Sequence, residues 1–117
     1  MKNEEIDFDW ANNFEGAITV CDRNGVIVYM NFFSKKQFKN YGGEKLIGAN
    51  LLDCHPEPSK TQLSEMLKNQ SGNMYTTEKD GIKKMILQSP LFNEGEFNGF
   101  VEISFEIFPN IPNFIRD

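Results

Sequence analysis

Residues 16–31 read GAITVCDRNGVIVYMN, two runs rich in β-branched and apolar side chains on either side of Asn24-Gly25. Asn-Gly is the pair that best tolerates the positive φ angles of a tight hairpin, so the stretch predicts two antiparallel strands joined at that corner. Upstream, EIDFDWANNF (5–14) carries Ile6, Trp10 and Phe14 at helical spacing with Phe8 between them, the pattern of a short amphipathic helix that must dock on something.

Downstream, Asn31 ends the second strand. FFSKKQFKNYGGEKLIG (32–48) then reads as short helices broken at Gly42-Gly43. In LLDCHPEPSKTQL (51–63), Pro56 and Pro58 oppose helix continuation, while Ser59 with Gln62 three positions on has the spacing of a capping box for a longer helix. Leu63, Met66 and Leu67 give that helix an apolar face, and Ser71-Gly72 is the expected stop. The remainder turns back to strands. Asp80-Gly81 marks a second hairpin, NEGEFNG (93–99) reads as a looser turn, and FVEISFEIF (100–108) alternates Val101, Ile103 and Phe105 with Glu102, Ser104 and Glu106. Two strands, several short helices and three more strands give an α+β fold, a five-stranded antiparallel sheet with its helices gathered on one face.

The 117 residues suit one domain, with a 39% hydrophobic content ample for a core. A net charge of −5 with scattered basic residues excludes a nucleic-acid-binding stripe, and no segment has the length or apolarity of a membrane span or signal peptide. The expectation is a cytoplasmic protein with Cys21 and Cys54 reduced.

In this order the elements resemble a PAS domain over residues 12–108. The resemblance rests on the Asp22-Arg23-Asn24-Gly25 turn, on VIVYMN ending at Asn31, and on EKLIG closing at Gly48. CHPEPS (54–59) is similar to a PAS subgroup with Cys-His-Pro and a Ser at the entry to the long helix. The implied layout is an N-terminal helical cap (1–16), the PAS domain (17–108) and a C-terminal tail (109–117). The resemblance implies a non-enzymatic sensory and signal-transduction module that binds a small ligand in its pocket or relays through protein contacts. It further implies a homodimer and, if the chain is complete, a separate signalling partner.

The candidate ligand-binding residues are Phe38, Tyr41, Cys54, His55, Leu63, Met66, Leu67, Met85, Leu87, Val101 and Ile103, taken to face one another across the interior. The same residues filling the interior themselves is the competing reading, and a one-residue slip would reverse each strand's faces. His55, the only histidine, is the candidate haem ligand of an alternative redox or gas sensor, although it precedes Ser59 and so stands before the long helix. One His and two Cys are too few for a structural zinc site within one chain unless carboxylates or a second subunit complete it. Flavin photochemistry is rejected, because GANLLDCH (48–55) has Leu51 where the adduct-forming cysteine should stand. A thiol enzyme using Cys54 and His55 is the remaining alternative; nothing resembles a nucleophile elbow or a phosphate-binding loop. The favoured reading of the Cys-His-Pro stretch is a helix junction. Phe8, Trp10 and Phe14 either cap the domain's own core or pack against a second copy, and Phe100, Ile111, Phe114 and Ile115 are expected to contribute to the same interface.

Overall fold

The first hairpin forms where Asn24-Gly25 places it, between β1 (Ala17–Asp22) and β2 (Ile27–Met30). A computed structural model describes residues 9–54 and 56–117, without the side chain of Cys54. In the turn only Gly25 takes a positive φ, +86°. Gly25 N donates to Asp22 O at 3.0 Å, and the Asp22 carboxylate accepts from the amides of Asn24 and Val26 at 2.9 and 3.0 Å. The corner is therefore a β-turn held by an aspartate, followed by one left-handed residue, rather than a two-residue turn with both central residues at positive φ.

The second hairpin has that two-residue form. Asp80 and Gly81, at φ +53° and +79°, join β3 (Asn73–Lys79) to β4 (Ile82–Asn93). A third turn of the same kind corrects the looser reading of NEGEFNG: Glu94 and Gly95 take φ +51° and +83°, and β5 (Glu96–Glu106) starts immediately afterwards. The five strands form one antiparallel sheet in the order β2-β1-β5-β4-β3. β5 is its centre, pairing with β1 on one side and β4 on the other. At Gly99, φ +145°, a Cβ would collide with the carbonyl oxygen of Cys21, so only glycine lets β5 approach β1 this closely.

Asn31 joins the sheet to the helices. Its side chain is fully buried. Oδ1 accepts from the amides of Ile18 and Ser34, both at 2.9 Å, and Nδ2 donates to the carbonyls of Ala11 and Gly16 at 2.8 and 2.9 Å. An amide offers two acceptor and two donor positions, and here all four are used. One of those bonds caps α2 (Phe32–Gln37), which is followed by 3-10 turns at Lys39–Tyr41 and Gly43–Leu46 with Gly42 at φ +120° between them. α1 (Trp10–Asn13) is a single turn among the described residues; Ile6 and Phe8 of the expected longer helix lie outside them.

After α3 (Leu51–Cys54), capped by Asn50, the chain passes the prolines and enters α4 (Ser59–Asn69). Both ends of α4 depart from expectation. No side chain caps it from the Ser59 position; instead Glu57 Oε1 accepts from Thr61 N at 3.0 Å and Thr61 Oγ1 at 2.6 Å. Pro58 has already begun the helical conformation, and the useful acceptor lies two residues before Ser59. The helix ends on Gln70 in the left-handed conformation, φ +55°, two residues before Gly72.

Candidate ligand cavity

The space between α4 and the sheet is set by strand register. Residues directly opposite in an antiparallel pair share a face, and neighbours along a strand alternate. Cys21 opposes Phe100 and Thr19 opposes Glu102 across β1 and β5, while Gln88 opposes Glu102 across β4 and β5. These residues face the helices. Cys21 and Phe100 are buried in one cluster with Met66 of α4, with Leu51, Leu63 and Leu67 packed against it. Thr19 Oγ1 and Ser34 Oγ are hydrogen-bonded at 2.6 Å, and Ser104 Oγ reaches Gln37 Oε1 at 3.4 Å, which tie the same face to α2.

A cavity of about 50 Å³ lies beneath α4, walled by Cys21, Leu51, Leu63, Met66, Leu67 and Phe100, with Thr19, Gln88, Val101 and Glu102 on the sheet side. Next to it, about 60 Å³ is bounded by Ser59, Gln62 and Tyr75 and again by Leu63, Met66, Gln88 and Glu102. Beyond Tyr75 the space opens into a groove of about 610 Å³ between Gln37, Phe38 and Tyr41 on the helical side and β3 and β4 on the other. Glu102 borders all three spaces.

Polar groups converge at that point. Gln88 Nε2 donates to Glu102 Oε1 at 2.7 Å, and Asn73 Nδ2 approaches Gln88 Oε1 at 3.4 Å. Among the described residues Glu102 has no cation within ion-pair distance. Burial pushes the Tyr75 hydroxyl above its ordinary pKa, and the Glu102 charge adds to the rise. Cys21 is raised as well, first by burial and further by the charges of Asp22 and Glu102. It is a compact buried thiol rather than a nucleophile.

The candidate residues thus divide. Leu63, Met66, Leu67 and Val101 border the inner cavity, while Phe38 and Tyr41 line the outer groove. Met85, Leu87 and Ile103 do not reach either space. Leu87 pairs with Ile103 and Met85 with Phe105, one residue out of step with the Gln88–Glu102 pair, so they occupy the opposite sheet face. Ile86, Gln88, Phe100 and Glu102 stand where those residues were expected. Phe100 was expected on the interface side and is instead 7% exposed in the core. His55 and the side chain of Cys54 lie outside the described residues. Among the described residues no three His, Cys, Asp or Glu side chains cluster as metal ligands. Sequence reading missed Gln88, Glu102 and Tyr75. The one available signal was Glu102 itself, a carboxylate on a strand that turns out to be central.

No protein-family model and no curated protein matches the chain by sequence. Solved structures do match. A C-terminal domain from Streptococcus mutans shares 20% identity at a TM-score of 0.70, covering 86% of this chain and 81% of that one. A sensory box sensor histidine kinase from Vibrio cholerae shares 16% identity at 0.64, covering 88% and 90%. The PAS domain of histidine kinase ThkA shares 21% at 0.61, covering 79% and 99%. With β5 central, three tight turns at Gly25, Gly81 and Gly95, and α2 to α4 against one sheet face, the chain has the PAS fold.

Proposed function

We propose that this chain is a sensory and signal-transduction module that takes a small ligand between α4 and the sheet, with no catalysis of its own. The observation that carries this is the cavity pair beneath α4, apolar on the helix side and furnished with Gln88 and Glu102 on the sheet side. Apolar walls with a few convergent polar groups are the usual makeup of a small-molecule site. The likeness to sensor-kinase PAS domains supports a signalling role. The relay would run through a second copy of the chain and a separate partner. Its material is exposed apolar surface: Trp10 on α1, and Ile111, Phe114 and Ile115 on the tail. A cytoplasmic setting suits that role; no helix among the described residues is long and apolar enough to cross a membrane.

Native mass spectrometry of gently purified protein tests this reading, because it reports bound small molecules and oligomeric state together. A retained ligand or a dimer is expected. Strictly monomeric, ligand-free chains that recover no partner would overturn it.

The second reading is a haem-based sensor using His55. Its support is the likeness, at 12% identity and a TM-score of 0.59, to the Vibrio cholerae receptor Aer2, described as a dual PAS-haem oxygen sensor. Its difficulty is room: an inner cavity of about 50 Å³ admits a few water-sized groups and not a porphyrin. Haem added to purified protein should give a Soret band displaced in His55→Ala if this reading holds; an unchanged free-haem spectrum removes it.

A further inference from the structure

The polar end of the cavity has one sign of charge. Of the residues bordering the two inner spaces, Glu102 is the one Asp, Glu, Lys, Arg or His side chain. The outer groove differs, since Lys79 and Lys84 there stand against Asp80 and Glu102. The groove therefore carries both signs, whereas the two inner spaces carry the Glu102 carboxylate alone, which has no cation within ion-pair distance among the described residues. Glu102 Oε1 is occupied by the Gln88 amide, while Oε2 has no hydrogen-bond partner among the described residues and is open to a donor. An anionic ligand meets a like charge at this point, and a neutral one makes no charge-assisted bond with it.

Resting on the small-ligand reading above, we propose that the ligand is a small organic monocation. Its ammonium group bonds Glu102 Oε2, and its short aliphatic body lies against Leu63, Met66 and Phe100. An ammonium–carboxylate contact is among the stronger hydrogen bonds available, and the apolar wall under α4 receives the ligand's body beside it. The inner spaces, about 50 and 60 Å³, limit the body to a few carbon atoms. Tyr75 borders both the second space and the groove, and its hydroxyl, pushed above its ordinary pKa by burial, adds no second charge there.

The test uses the full chain, isotopically labelled, titrated separately with n-butylammonium chloride, n-butanol and sodium butyrate. Resonances of the Gln88 side-chain amide and the Glu102 backbone amide provide the readout. Butylammonium should saturate those shifts at a concentration roughly tenfold to a hundredfold below that needed for butanol, the range expected of one charged hydrogen bond. Butyrate should leave them unmoved. Glu102→Gln, which keeps the shape and an acceptor for Gln88, should bring butylammonium and butanol to similar affinity. The wild-type preference needs no variant, so a poorly folded substitution would not spoil the result. Butanol binding as well as butylammonium, or a preference unchanged in Glu102→Gln, would overturn the cationic class and leave a small-ligand cavity standing. Shifts from none of the three probes would also overturn it, and only ligand-free mass spectra in addition would remove the cavity reading itself.

Discussion

Asn31→Ala is the substitution that most directly tests how the sheet is fastened to the helices. Truncation at Cβ leaves three buried groups without their partner: the amides of Ile18 and Ser34 and the carbonyl of Gly16. The fourth partner, Ala11 O, is only partly buried and can turn to water. At about 1–2 kcal/mol for each buried group left unpaired, the loss is roughly 3–6 kcal/mol. A domain of this length has a total stability of about 6–17 kcal/mol, so the variant should remain foldable with a much lower urea midpoint. Urea unfolding followed by far-ultraviolet circular dichroism measures it. Asn31→Asp sharpens the test, because it keeps two acceptor bonds but turns its second oxygen toward the carbonyls of Ala11 and Gly16. Ionised, it should be as damaging as alanine. Its carboxyl would have a folded pKa above the unfolded one, so the variant should recover stability as pH falls. A loss below about 1 kcal/mol in Asn31→Ala, with an unchanged denaturant slope, would mean that water replaces the amide and that this anchoring argument is wrong.

Gly99→Ala should cost about 2 kcal/mol or more, since it combines a φ of +145° with a collision against Cys21 O; Gly48→Ala, at φ +96° in open space, should cost clearly less, and equal midpoints would refute the close-approach argument. The bonds from Thr61 hold the Glu57 carboxyl below its ordinary pKa, so its contribution is present above the unfolded value and lost as pH falls through the folded one. Glu57→Gln should therefore lower the urea midpoint at neutral pH, and the gap to wild type should close on acidification; a gap that is constant with pH would reject Glu57 as the cap of α4. In a Cys54→Ser background, Cys21 should react with a thiol reagent far more slowly in the folded protein than after unfolding in urea, as its burial and raised pKa require. Rapid labelling of the native state would show that the cavity opens to solvent.

Turn chemistry carried most of the fold. Asn24-Gly25 and Asp80-Gly81 announce strand reversals because glycine and its partner have few other uses between β-branched runs. Glu94-Gly95 makes the same corner as Asp80-Gly81 but was legible only as a loose turn, since glutamate is seldom placed at positive φ and only the pairing of Asn93 with Glu96 holds it there. The caps of α4 were misplaced for a related reason: Ser59 and Gly72 are the better local choices, yet Pro58 and Gln70 take the terminal conformations. The site was the least legible part. Along β5, Val101 and Ile103 were the candidates for the helix side; Val101 borders the inner cavity, but the side chains that reach toward the helices from that strand are Phe100, Glu102 and Ser104. Alternation gives two faces without saying which is inner, and a cavity that holds polar groups reverses the usual guess.

The place of β5 also bears on how the protein comes into being. The β1–β2 and β3–β4 hairpins touch no common strand until β5 is laid between them, and β5 is the last of these five strands to leave the ribosome. A chain still in synthesis holds two unfinished ribbons, each with an exposed edge and half of an apolar face. Closing β1 onto β5 draws together the first and last of the five strands, which makes this step slow relative to hairpin formation. A nascent-chain protease assay should accordingly find protection arriving late and all at once, as residues 96–106 emerge.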